Sequence, residues 1–331
     1  MSTRAEPVAG RAFETPVRLG ARNWWRVAKR IFLDLGSDHL SLVAAGCAFY
    51  AMLAIVPSLT ALLLIYGLVF EPSSVPGQLD VLDGVVPDGV RVLLQDQLTR
   101  LADAPQTRLG WSLALTLVLA LWPASAGMKA LIQALNIAFH EVEKRNLLVF
   151  NLVGLGFTLL AIIAMALALF VILGVPALLA IVGLGTIAEQ VMHMARWPLL
   201  AALVVLGLGF LYRYGPSRQE PRLVWVSVGA VVATVIWTLG SVGFSLYIAN
   251  FADYNQTYGS LGAIIVVLLW LYISAFVVIF GAKLNSEVEH ETSVDTTVGV
   301  QQPPGQRGAF VADNVADVAA SRERVAAGDR A

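Results

Sequence analysis

Residues 254–290 read YNQTYGSLGAIIVVLLWLYISAFVVIFGAKLNSEVEH. Positions 261–282 hold 22 residues without a charged side chain. A helix rises about 1.5 Å per residue and a bilayer's hydrocarbon core is about 30 Å thick, so this run can cross a membrane. A polar, glycine-containing stretch precedes it. Lys283, Asn285, Glu287 and Glu289 follow and predict a stop at a water interface. Helical spacing sets Trp270, Ser274, Val278, Gly281 and Asn285 roughly along one stripe. Small and polar residues on one face let a neighbouring helix approach closely and bond to it. The stripe therefore reads first as a packing seam and second as the wall of a path through the membrane.

The rest of the chain agrees with a membrane setting. Of 331 residues, 57% are hydrophobic and 14% charged, which suits a polytopic membrane protein better than a soluble enzyme. The net charge of −1 offers no bulk basic field for nucleic acid. The single cysteine, Cys47, lies in an apolar run and has no partner for an intramolecular disulfide. The first 40 residues are polar and arginine-rich, so no cleaved signal peptide is expected and the first span serves as its own insertion signal.

Six spans are predicted: 40–70, 111–128, 147–174, 197–214, 223–249 and the run quoted above. Before them, 22–35 is amphipathic, with Trp24, Ala28, Ile31 and Leu35 on one face and basic residues largely elsewhere, as suits a helix at the lipid headgroups. Pro57 and Pro123 interrupt spans one and two and free backbone carbonyls there. Ala44, Ala48 and Ala51 give span one a small-residue face. In the long loop 71–110, apolar residues from Val90 to Leu101 recur at helical spacing and predict an amphipathic helix. Residues 177–195 carry Glu189, Gln190 and His193 and read as a loop with an interfacial or re-entrant helix. Eighteen of the 22 lysines and arginines then fall on one side, which the positive-inside rule assigns to the cytoplasm together with both termini.

The expected class is thus an all-α polytopic membrane protein with six transmembrane helices. Residues 1–38 form a cytoplasmic N-terminal segment with an interfacial helix, 39–290 the membrane domain, and 291–331 a disordered cytoplasmic tail.

Four stretches together resemble the YihY/BrkB family of bacterial inner-membrane proteins, also described as ribonuclease BN-like. They are AAGCAFYAMLAIVPSLTALL, LWPASAGMKALIQALN, the YGSLG that opens span six, and the run from LYRYGPSRQEP to LNSEVEH. The resemblance covers about 25–290. It implies six helices and a bacterial inner membrane, and a role described variously as transport, virulence or RNA cleavage. One departure is Lys283 in GAKLNSE, where members of that family often carry an acid.

The residues argue against the nuclease role. His39, His140, His193 and His290 are scattered, and HEVE at 140–143 and EVEHE at 287–291 lack the H-E-x-x-H spacing of a metal helix. No phosphate-cradling G-x-x-x-x-G-K-[ST] occurs. We therefore expect no enzyme activity, no metal and no cofactor. The expected partners are membrane lipids and an unknown small or amphiphilic solute, not nucleic acid, and a homo-oligomer is a possible assembly. The transport path, if there is one, is expected where span six meets the kinked spans one and two, near Pro57, Pro123, Ser125, Tyr258, Gly259, Ser274, Gly281 and Asn285, with Lys283 and Asn285 at a cytoplasmic gate. The alternative is a non-catalytic membrane scaffold or envelope interaction protein.

Overall fold

The computed structural model describes residues 15–16, 19–37, 39–69, 111–174, 186–251 and 260–315. The structured elements are helical: α1 (Ala21–Ser37), α2 (Leu40–Val69), α3 (Trp111–Ala138), α4 (Leu147–Leu169), α5 (Thr186–Tyr214), α6 (Leu223–Phe251), α7 (Ser260–His290) and a single turn, α8 (Phe310–Asp313). Among the described residues there is no strand, only an isolated antiparallel bridge between Pro221 and Thr297. Leu147–Ile172, Met194–Tyr214, Leu223–Ile248 and Ile264–His290 are long and apolar enough to cross a membrane, and Leu40–Ile55 adds a shorter apolar helix. The chain is an all-α polytopic membrane protein.

Close helix approaches are bought with small residues. Ala44 and Ala48 of α2 are buried, and a Cβ on Gly127 of α3 would lie 3.3 Å from the Ala51 backbone nitrogen. The small face predicted for span one is thus where α3 packs. Asn146 caps α4, its side chain accepting from the Val149 N–H. The last turn of α4 loosens into a π-helical turn, Phe170–Gly174.

Three expectations change. Helix α5 begins at Thr186 and runs through Pro198, so 186–195 continue span four instead of forming a separate interfacial or re-entrant helix. A proline removes one donor, yet the rest of the ladder holds the axis together. On α1, Val27 and Ile31 are buried with Trp24 packed beside them while Ala28 is exposed, so the buried stripe shares Trp24 and Ile31 with the predicted apolar face but takes in Val27 instead of Ala28. Residues 291–315, expected to be disordered, pack against the bundle through buried Thr292, Asp295, Thr296, Arg307, Val311 and Val315. Arg307 organises this segment by donating to the carbonyls of Ser293, Val294, Gln302 and Ala312. The helix expected near 90–101 and the tail 316–331 lie outside the described residues.

Candidate functional site

The end of α7 does not open into water. Positions 281–289 are all buried, including Lys283, Asn285, Ser286, Glu287 and Glu289. Four segments close around them: α1, the 139–146 loop after α3, the 215–222 loop after α5, and residues 291–315. These are the described parts of the segments that carry the chain's basic excess.

Lys283 is at the centre, with its side chain fully buried. Its ammonium lies 3.0 Å from Asp34 on α1, 3.2 Å from Glu287 one turn on, and 3.0 Å from Nε2 of His140. An ammonium only donates, so His140 accepts through Nε2 and carries its proton on Nδ1. His140 reaches Lys283 because the backbone there turns left-handed, φ +56°, as α3 ends. Its ring also packs on Phe310, whose N–H donates to Glu141 at 2.6 Å. The ionic ladder continues along α1: Arg30 donates to Glu287 at 2.7 Å and to Glu291 at 2.6 Å, and Arg26 to Glu291 at 2.8 Å. Cations at i and i+4 of α1 thus meet acids at i and i+4 of the α7 end.

A second buried pair locks the opposite side. Arg218 donates to Glu289 at 2.8 Å, with side-chain exposures of 0% and 1%, and its guanidinium lies 4.0 Å from the centroid of the Phe139 ring. The Thr296 hydroxyl also donates to Glu289. Ser217 joins the loops, its N–H donating to Asn136 Oδ1 at 2.8 Å and its hydroxyl accepting from the Lys144 N–H. Burial opposes the charge on Glu143, but donation from Arg145 and Asn136 outweighs it and holds the carboxyl below its ordinary range. At Asp295 burial also opposes the charge. The N–H groups of Gln302 and Thr297, the Thr297 hydroxyl and nearby Arg307 outweigh it and hold that carboxyl low.

The stripe on α7 is a seam with α6 and α5. Ser274 accepts from the Trp237 indole N–H at 2.9 Å. A Cβ on Gly281 would collide with Tyr212 Oη, the Ala233 side chain and the Gly229 carbonyl. Tyr212 donates to the Val278 carbonyl at 2.8 Å. Asn285 spans both backbone functions of α6: Oδ1 accepts from Gly229 N–H at 2.7 Å, and Nδ2 donates to the Val226 carbonyl at 3.0 Å. Ser274, Gly281 and Asn285 are therefore brought together against α6 and Tyr212 of α5, while α7 also packs on α2 and α3, the pair beside which the path was expected. Ser125 is buried in α3 and donates to the Trp122 carbonyl one turn back, a local bond. Pro57 and Pro123 fall within α2 and α3, but their side chains, like Tyr258 and Gly259, lie outside the described residues. The reading of Lys283, Glu287 and Glu289 as solvated stops does not hold. The signal that could have corrected it is the match between Arg26 and Arg30 and the acids at 287 and 291. Among the described residues, no three metal-ligating side chains gather.

Over 251 residues the chain is 30% identical to the ribonuclease-like protein YfkH of Bacillus subtilis, covering 73% of this chain and 88% of that one. It is 31% identical over 179 residues to UPF0761 membrane proteins of Xanthomonas campestris and Xanthomonas axonopodis, covering 49% of this chain and 40% of each of those. No solved structure matches the chain. The match to the virulence factor BrkB family runs over residues 31–305, which takes in the helices from α2 to α7, Asp34, His140, Lys283, Glu287 and most of the folded segment after α7, but not Arg26 and Arg30, and the chain belongs to that family.

Proposed function

We propose that the protein is a bacterial inner-membrane transporter or exporter of a small or amphiphilic solute, with the socket at the end of α7 as its cytoplasmic gate. The carrying observation is Lys283: a fully buried cation in the last turns of a membrane-crossing helix, bridged to α1 and to the end of α3. Ionisable groups at such positions are costly to bury and commonly mark ion or solute pathways. Every segment that the positive-inside rule puts in the cytoplasm, so far as it is described, lies at this end, which supports six spans with both termini inside. Opening the gate would part α1 from α7, at the Asp34, Arg30 and Arg26 pairs.

A scaffold role is the second reading, favoured by the Gly229–Gly281 contact, which leaves no room for a solute along that seam. In both readings the chain is non-catalytic, its partners are lipids with or without a solute, and nucleic acid is not among them. The deciding experiment reconstitutes the full chain in liposomes and compares efflux of a metabolite and lysolipid mixture with empty vesicles. Flux of at least one component above empty vesicles supports transport. Folded, correctly inserted protein with no flux supports the scaffold.

A further inference from the structure

Lys129 stands apart from the socket. It lies in α3, nine residues before that helix ends at Ala138. Helical side chains tilt toward the helix N-terminus, so the Lys129 ammonium points away from the socket and into the bilayer. Its position confirms this: Nζ lies 5.3 Å from the ring centroid of Trp122, seven residues earlier. On the other side, Nζ donates to Asn151 Oδ1 of α4 at 2.8 Å. Asn151 is itself oriented, its Nδ2 donating to the Leu147 carbonyl at 2.7 Å. Gly154 makes the room, since a Cβ there would lie 2.5 Å from Lys129 Cγ.

Lysines at membrane depth normally pair with an acid or extend to the interface. Lys129 has no acid: among the described residues no carboxylate reaches it, and its side chain turns away from the aqueous end of α3. Three N–H bonds face one amide oxygen and one aromatic ring. The surrounding flank is apolar and open, with Trp122 65% exposed, Leu148 71% and Leu152 58%. Asn151 is one turn inside α4 from its cap, Asn146, a depth of about 6–8 Å along the axis, close to where lipid phosphates meet acyl chains.

We propose that the notch formed by Lys129, Asn151, Trp122 and Gly154 binds the phosphate of an anionic phospholipid on the flank between α3 and α4. The remaining ammonium hydrogens take the phosphate oxygens, and Trp122, Leu148 and Leu152 contact the glycerol and upper acyl chains. A ligand reaches this notch from the bilayer, because its mouth opens on an apolar surface. The site does not depend on the transport reading.

The test is native mass spectrometry of the purified full chain in detergent, titrated with phosphatidylglycerol or phosphatidylcholine. The wild type should prefer phosphatidylglycerol by about fivefold, the factor one cation supplies at a membrane surface. Lys129→Met should lose that preference and Lys129→Arg should keep most of it. If Lys129→Met folds poorly, Asn151→Leu and Trp122→Leu should each weaken the preference. Inorganic phosphate should not displace the lipid; if it does, the site belongs to soluble anions and the proposal is overturned. A folded Lys129→Met protein with wild-type preference, or a wild type with no preference, also overturns it.

Discussion

Replacing Glu289 by Gln should destabilise the protein more than any exposed charge removal. The change keeps the shape and deletes the only carboxylate that pairs with Arg218 among the described residues, and the Arg218 side chain has no exposure to water. Breaking a buried pair by removing one partner costs about 3–5 kcal/mol, and a retained hydrogen bond from Arg218 to the new amide returns about 1, leaving about 2–4. At about 2–4 °C per kcal/mol, thermal unfolding in detergent should shift down by roughly 4–16 °C. Removing both charges with Glu289→Met and Arg218→Met should cost much less than the two single changes added, because no orphaned charge remains. The assay is a four-member mutant cycle followed by intrinsic tryptophan fluorescence on heating. Additivity within about 0.5 kcal/mol would refute the reasoning, since it would mean that Glu289 and Arg218 are not coupled.

Gly281→Ala should cost about 1–3 kcal/mol through its collision with Gly229 and Tyr212, while Gly243→Ala on α6, with nothing nearby, should be neutral or stabilising; thermal shifts of the two variants check this. The depressed carboxyl of Asp295 stabilises the 291–315 segment above the unfolded value of about 4, and that stability should fade as pH falls through the lower folded value. Hydrogen exchange at 295–307, corrected for intrinsic rates, should therefore rise on acidification, and Asp295→Asn should flatten that dependence. Purified protein supplied with divalent metal should leave RNA intact; co-purifying cleavage abolished by His140→Ala with Glu143→Ala would contradict the non-catalytic reading.

The helices were legible because hydropathy is a local property, and spans three, five and six stand where the apolar runs put them. The socket was not legible as burial. Whether Glu287 is solvated or enclosed depends on Arg30, 257 residues away, and no local pattern near 287 records that partner. The segment after α7 reads as disorder because it has no apolar periodicity, and one arginine, Arg307, holds it through backbone carbonyls. The stripe on α7 was legible as a seam, but spacing gives a face and not which helix fills it; Ser274 and Asn285 bond to α6. Ile279, off that stripe, is also fully buried, so a single stripe understates how much of α7 is covered.

In the proposed transporter, Lys283 holds the cytoplasmic gate shut. Liposomes bearing wild type, Lys283→Arg and Lys283→Met at matched insertion and fold test it, using whichever solute the wild type moves. Passive flux should be several-fold faster for Lys283→Met, because Asp34 and His140 lose their contact with Lys283 on α7, and near wild type for Lys283→Arg. Unchanged flux through a folded Lys283→Met protein would contradict it.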